Sequence, residues 1–472
     1  MREKQEMGRI MKRNSAPRRG LQIIIVGCGK VGETLTEQLT REGHDITLID
    51  KNATKVHDLT NMYDVMGMVG TGASYSVQME AGIENADLLI AVTDSDELNL
   101  LCCTVAKRVG DCAAIARVRN PDYSEEIPYL REKLGLAMII NPEQAAADEA
   151  ARLLYLPTAL EVHPFAHGQA EMVKFKLPKG NVLDNMTIAE LGRNGLSNGI
   201  LICGVEREGT MVIPDGGYCL KSGDMISFTA SQKVAKEFLR KIGLQTNQVR
   251  DAMIIGGGKA AYYLAKRLLA VGIEVKLIEK DLARCEELTV LLPGAIIING
   301  DGTDTDLLKE EGIDSIQSFV PLTGIDEENV LLTLHVRSVS QAKVVTKINR
   351  INFKSVLNEL DLGSVLYPKY ITSETIIAYV RARMASLNSN VETLYHLFDS
   401  RAEAVEFLVR EESPVTGKPL MELKLKSDLL VACIFRQGEI RIPSGTDCIM
   451  VGDTVLIVTA HTGLGDLQDI LA

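Results

Sequence analysis

The sequence predicts two doubly wound α/β domains, each followed by a small α+β domain, and three observations predict them. The first is a glycine turn that occurs twice with a carboxylate beyond it: Gly27-Cys28-Gly29-Lys30-Val31-Gly32 with Asp50, and Gly256-Gly257-Gly258-Lys259-Ala260-Ala261 with Glu279. The leading glycine and the acid both recur at a spacing of 229 residues, so the acid keeps its place relative to the turn. The second is that the repeat runs on. Gly70 matches Gly300, Thr93 matches Thr323, Asn99 matches Asn329 and Arg117 matches Lys347 at 230, while Pro214 matches Pro443 and Gly223-Asp224 matches Gly452-Asp453 at 229. Solenoid repeats have periods of about 20 to 50 residues, so a period of this length is a duplicated module of many elements.

The third observation is the order of elements. Strand-sized apolar runs at 46–49, 65–69, 88–92 and 113–118 alternate with helix-period segments, which is the pattern of a parallel sheet covered by helices. From about Glu161 the chain changes to short alternating strands with glycine punctuation, at 199–205 and 225–229, and the second half repeats this at 429–435 and 454–459. Segments 141–155 and 367–383 read as long helices, placed to link the parts or to exchange with a neighbouring chain. The expected division is a basic arm at 1–20, α/β domains at 21–158 and 250–385, and small α+β domains at 159–244 and 390–472.

Composition bounds the function. With 46% hydrophobic and 24% charged residues the chain has the make-up of a core-forming globular protein. Its apolar runs, such as 21–26 and 88–92, fall far short of the roughly 20 residues that span a bilayer. The first residues carry Arg2, Lys4, Arg9, Lys12, Arg13, Arg18 and Arg19 without the apolar stretch of a secretory signal, and read as a solvated, disordered arm. Nine cysteines without a C-x-x-C pair disfavour zinc and disulfide frameworks and suit reduced thiols in the cytosol. A net charge of −12 argues against nucleic-acid binding, which needs a basic face.

The turn has a definite chemistry. Gly27 allows a tight exit from the strand, Gly29 lets a pyrophosphate approach the backbone, and Gly32 lets the helix pack on the sheet, where the second copy has the tolerated Ala261. The helix N-terminus offers N–H groups and partial positive charge to phosphates. Asp50 is placed to accept from ribose hydroxyls and would repel a 2′-phosphate, which favours NAD(H) or an adenine nucleotide over NADP(H). Glu279 reaches one methylene further. An NAD-dependent oxidoreductase would share this turn but needs an acid–base group at the nicotinamide. The histidines, among them His44, His57, His163 and His167, read as surface or strand-edge residues, and the added domains are small and duplicated, so a non-enzymatic regulator is expected.

The residues resemble a known family. The segment 23–50, the strings at 91–99 and 321–329, and Ala116-Arg117-Val118-Arg119-Asn120 look like regulator-of-potassium-conductance (RCK, or KTN) domains. The stretches Pro214-Asp215-Gly216 and 220–224, with their counterparts Pro443-Ser444-Gly445 and 450–453, look like the RCK C-terminal subdomain. Two such modules in tandem are similar to the peripheral subunits of bacterial Trk potassium-uptake systems, and the resemblance covers the chain from residue 21 onward.

That resemblance implies a cytoplasmic regulator on the cytoplasmic face of the inner membrane. It would bind NAD(H) or ATP/ADP, assemble into a ring (a tetramer is expected) and gate an integral-membrane potassium-translocating subunit of the Trk type. Carried over, Gly27, Cys28, Gly29, Lys30, Val31, Gly32 and Asp50 would cradle the dinucleotide, Thr93 and Asp94 would line its edge, and Arg117, helped by Arg119, would meet phosphates. The matching second-half positions are Gly256, Gly257, Gly258, Lys259, Ala260, Glu279, Asp301 and Thr323, with Lys347 in place of Arg117. The second half has Gly300-Asp301-Gly302, resembling the family's adenosine-side loop, where the first has Gly70-Thr71-Gly72, so the halves are expected to differ at the adenosine. Some related regulators bind a cyclic dinucleotide through the small domain. No arginine or asparagine cluster at 161–243 or 391–472 decides that point.

Overall fold

The computed structural model describes residues 20–472 except 111, 124–125, 350–356, 358–359, 385–388 and 399. The expected basic arm, apart from Gly20, lies outside the described residues. The chain divides into two compact units, 1–141 and 142–472.

The first unit is one parallel sheet. Its strands are β1 (Gln22–Val26), β2 (Asp45–Asp50), β3 (Met66–Val69), β4 (Leu88–Ala91), β5 (Ala113–Arg117) and β6 (Met138–Ile140), in the order β3-β2-β1-β4-β5-β6. This is the doubly wound order, in which the direction of winding reverses between β1 and β4 and leaves a crevice at the strands' carboxyl ends. Ile23 to Val26 and Leu88 to Ala91 are buried along their whole length, as strands covered by helices on both faces must be. Helix starts are written in the sequence: Asn52 accepts from the Lys55 N–H and Ser95 from the Leu98 N–H, each satisfying an otherwise unpaired first-turn donor.

The second unit opens with the helix Pro142–Tyr155, with proline at the position where its missing N–H costs nothing. An antiparallel sheet follows, built from β7 (Glu161–Phe165), β8 (Ala170–Lys176), β9 (Leu201–Arg207), β10 (Thr210–Val212) and β11 (Met225–Ser231), in the order β10-β9-β11-β8-β7. Phe175, Phe228 and Phe238 pack edge-to-face at its core, 4.9 to 6.4 Å between centroids.

The second parallel sheet comprises β12 (Asp251–Ile255), β13 (Glu274–Glu279), β14 (Ile296–Asn299), β15 (Ser318–Pro321), β16 (Lys343–Lys347) and β17 (Ser364–Leu366), in the order β14-β13-β12-β15-β16-β17. After the helix Pro368–Met384 comes the second antiparallel sheet, β18 (Ser389–Leu397), β19 (Ala402–Val409), β20 (Leu429–Arg436), β21 (Glu439–Arg441) and β22 (Thr454–Thr459), in the order β18-β19-β22-β20-β21. The expected class, two Rossmann-like domains each followed by a small α+β domain, is the observed one.

Two details differ from the sequence reading. The strand expected at 199–205 is Leu201–Arg207, because Gly199 takes φ +76° and Ile200 N–H bonds back to the Ser197 carbonyl, which makes a turn there. His44, expected as a surface or strand-edge residue, immediately precedes β2 but is 5% exposed, and its Nδ1 accepts the Leu21 N–H at 3.1 Å.

The small domains share an ion pair that the Gly-Asp repeat encodes. Asp224 is 1% exposed and takes Arg207 through Nε and Nη2 at 2.7 and 2.8 Å, as well as the Lys221 N–H at 2.8 Å. Asp453 does the same with Arg436, at 2.7 Å for both nitrogens, and with the Met450 N–H at 2.7 Å. Each carboxylate ties the tight turn to the sheet. Asp224→Ala is therefore expected to destabilise the first small domain by about 2–3 kcal/mol, the worth of a charge-assisted bond set. A clearly lower thermal unfolding midpoint for the full chain is the expected result, and an unchanged midpoint would contradict it.

Candidate functional site

Each glycine turn lies at the crevice between its two central strands. Gly27 has φ +110°, and a Cβ there would lie 3.0 Å from the Val92 carbonyl and the Thr93 nitrogen. Its N–H donates to the Ile49 carbonyl at 2.8 Å. Gly29 caps the helix Lys30–Arg41 without a side-chain hydrogen bond, and among the described residues no atom beyond its chain neighbours lies within 4 Å of where its Cβ would project. The helix N-terminus is thereby left open, and such an end carries the N–H groups and partial positive charge that suit an anion. Gly32 is obligatory for packing: a Cβ there would fall 1.9 Å from the Gly27 carbonyl oxygen.

The strand-end acid joins this turn directly. Asp50 Oδ2 accepts the Cys28 N–H at 2.6 Å and Oδ1 the Asn52 N–H at 2.8 Å. In the second copy Glu279 Oε2 accepts the Gly257 N–H at 2.5 Å and Oε1 the Asp281 N–H at 2.9 Å, and Arg284 Nε donates to the Gly257 carbonyl at 2.7 Å. The extra methylene of Glu279 thus leaves the pattern unchanged. Burial and the neighbouring Asp50 charge push the Cys28 thiol up to about 12, so it is a neutral packing group inside the turn.

The opposite wall is the loop after the fourth strand. Asn99 is fully buried; its Oδ1 accepts from Thr93 N and Oγ1 at 2.8 and 2.7 Å, and its Nδ2 donates to the Thr93 and Arg117 carbonyls at 3.1 and 2.9 Å. Asn329 repeats all four bonds with Thr323 and Lys347. The sequence repeat contains both asparagines, yet they are absent from the expected site set, because they position the loop and do not line it. Arg117 is largely buried, with Nη2 on the Thr93 carbonyl at 2.5 Å and 3.3 Å from Asp94 Oδ1. Arg119 donates to the Asp94 carbonyl. Lys347 Nζ donates to the Leu322 carbonyl at 2.9 Å.

In the second half these residues enclose a cavity of about 450 Å³, lined by Gly256 to Gly258, Glu279, Asp301, Thr323 and Lys347 among others. Lys259 and Ala260 begin the helix behind the turn. Asp301 accepts from Thr303 N and Oγ1 at 2.8 and 2.7 Å, which holds its carboxyl below the ordinary range. Its first-half counterpart Thr71 lies in a loop anchored instead by Gln78, whose Nε2 donates to the Gly72 carbonyl at 2.6 Å. The two loops are thus built differently.

Residues 23–142 and 252–368 match the TrkA-N domain, and residues 172–243 and 404–472 match the TrkA-C domain. The chain belongs to the TrkA family. It is 30% identical to the Trk system potassium uptake protein TrkA of Haemophilus influenzae, over 93% of this chain and 95% of that one. The TrkA homolog of Archaeoglobus fulgidus is 31% identical, over 95% of this chain and 100% of its own length. In fold it resembles the GsuK channel bound to NAD (TM-score 0.61, 18% identity, 96% of this chain and 80% of that one) and the GsuK RCK domain (TM-score 0.60, 17% identity, 95% and 96%). Among the described residues no helix is long and apolar enough to cross a membrane.

The two turns are not equally tight, since a Cβ on Gly256 would clear Thr323 by 3.3 Å where one on Gly27 clears Thr93 by 3.0 Å. Gly32→Ala is expected to force the first turn open and weaken nucleotide binding there at least tenfold, about 1.4 kcal/mol, while Ala261→Gly leaves the second turn functional. Equal calorimetric affinity in Gly32→Ala and the parent would show that the turn absorbs the methyl.

Proposed function

We propose that this chain is the nucleotide-responsive regulatory subunit of a Trk-type potassium-uptake system, with one nucleotide site in each half. The observation that carries the reading is the duplicated junction of strand-end carboxylate and glycine turn. In both copies the acid sits at the second strand's end, hydrogen-bonded to the turn, with the approach to the first helix clear beside it.

The residues fit a dinucleotide. Gly27 to Gly32 and Gly256 to Ala260 would receive the pyrophosphate, Asp50 and Glu279 the ribose hydroxyls, and Thr93, Asp94 and Thr323 the edge of the ligand. A carboxylate at the ribose disfavours a 2′-phosphate, so NAD(H) or ATP/ADP is the ligand class. Asp301 gives the second half an acceptor that Thr71 cannot match in charge. Arg117 and Lys347 stand at the fifth strand's end of each sheet, where they would meet phosphates.

The chain would act by binding the cytoplasmic side of an integral-membrane potassium-translocating subunit as a homo-oligomer, with a tetramer presenting eight modules. Homo-oligomers close by symmetry, and a tandem pair closes a ring with half as many chains. A ligand shifts such an assembly only through differential affinity for its states, which is where unlike adenosine-side loops would matter.

Calorimetry on the full chain with NADH, NAD, ATP and ADP tests this. Asp50→Ala and Glu279→Ala should each weaken one class of site about tenfold or more, the worth of charge-assisted bonds of roughly 1.5–3 kcal/mol, and the double variant should weaken both. Full affinity for all four ligands in the double variant would remove the carboxylates from the site.

A further inference from the structure

Within the second unit, seven elements bring ionisable side chains together beside the seam where the two antiparallel sheets meet. The seam itself is apolar, with Phe165, Met172, Leu397, Ala404 and Leu456 buried against one another. At its edge His163 of β7 stacks on Tyr395 of β18, 4.5 Å between ring centroids. Next along β18, His396 faces a carboxylate with each ring nitrogen: Nδ1 lies 3.2 Å from Glu374 Oε1 and Nε2 3.7 Å from Glu403 Oε1. Glu374 belongs to the helix Pro368–Met384 and also accepts the His396 backbone N–H at 3.0 Å. Glu403 belongs to β19, is 1% exposed, and is held by Arg381 Nη1 and Nη2 at 2.9 and 3.0 Å and by the Gly463 N–H at 3.2 Å.

A neutral imidazole has one N–H and can serve only one of two carboxylates, whereas the cation serves both. We propose that His396, with His163 beside it, is a proton-operated clasp that tightens the helix Pro368–Met384 against the paired small domains when protonated and loosens it as pH rises.

The groups facing the two histidines favour the cation. His163 Nε2 lies 3.3 Å from Glu161 Oε2, whose other oxygen takes Lys174 Nζ at 2.8 Å. Lys174 lies 5.1 Å from the Phe398 ring centroid and 3.9 Å from Glu206 of β9. Glu149 and Arg152 approach from the helix Pro142–Tyr155, and Glu374 from the other helix. Burial works against a charged His163, but the bond and charge of Glu161, with Glu149 and Glu374, raise it above the ordinary histidine value. His396 is raised likewise against burial, by Glu374 first and then Glu403, with Arg381 opposing.

A raised histidine contributes stability that is complete below its unfolded value of about 6.5 and is lost as pH climbs through the folded value. Burial first, then the charges of Glu374 and Glu161, push the Glu149 carboxyl up to about 7, so above that pH it adds a buried charge to the same junction. The helices concerned pack on each other, and Pro142–Tyr155 packs on Lys259–Ala270 behind the second glycine turn, so a change here reaches that domain.

Hydrogen exchange of the full chain, corrected for intrinsic rates and compared at about pH 6 and about pH 8, reads the clasp. Protection of β18 and of the helix Pro368–Met384 should fall across this range, in the direction that raised histidines impose. In His396→Gln, and in the milder Glu374→Gln, that difference should flatten. Exchange at the histidine C2 position in the unaltered protein needs no variant and should place His396 above about 6.5. Protection that does not change with pH, a dependence undiminished in His396→Gln, or a His396 value at or below about 6.5 would each overturn the proposal.

Discussion

A backbone N–H donated to a strand-end carboxylate, Cys28 to Asp50 and Gly257 to Glu279, is the contact on which each α/β domain's working edge depends. The turn would otherwise be a loose strand-to-helix connection. Tied to the second strand on one side and packed against the fourth-strand loop on the other, it aims its helix N-terminus at one place. The buried asparagine completes the frame, since Asn99 and Asn329 each bind the fourth-strand loop to the fifth strand with four hydrogen bonds. A ligand entering there meets groups already fixed, which keeps the ordering cost of binding small.

Duplication preserved this frame and relaxed what surrounds it. Gly32 became Ala261, Asp50 became Glu279 and Arg117 became Lys347, each keeping its general place. The loop after the third strand did not keep its chemistry: Asp301 with Thr303 stands where the first half has a loop anchored by Gln78. The small domains preserve their own tie in Arg207–Asp224 and Arg436–Asp453.

The fold was legible in the sequence because its signals are local and periodic. Continuous apolar strands and glycine turns each report on a few neighbouring residues, and the repeat tested them twice. The three-residue strands β6 and β17 carry no such signal and were not separable from their surroundings. The glycine turns and their acids were legible for the same reason, as a short motif with fixed spacing. Arg117's anchoring to the Thr93 carbonyl was not, since it depends on side-chain direction at the end of β5. Least legible was the cluster of His163, His396, Glu149, Glu374 and Glu403, which only tertiary packing assembles from distant elements; read one at a time, its histidines look like strand-edge residues.

The central claim is that nucleotide binding at these frames controls potassium movement through a partner. Potassium flux into liposomes carrying the Trk-type membrane subunit tests it most directly, with the full chain added and the nucleotide varied between NADH, NAD, ATP and ADP. The account predicts that flux depends on which nucleotide is present and that the dependence vanishes when Asp50 and Glu279 are both replaced by alanine. A nucleotide dependence undiminished in that double variant, or flux indifferent to all four nucleotides in the unaltered chain, would contradict it.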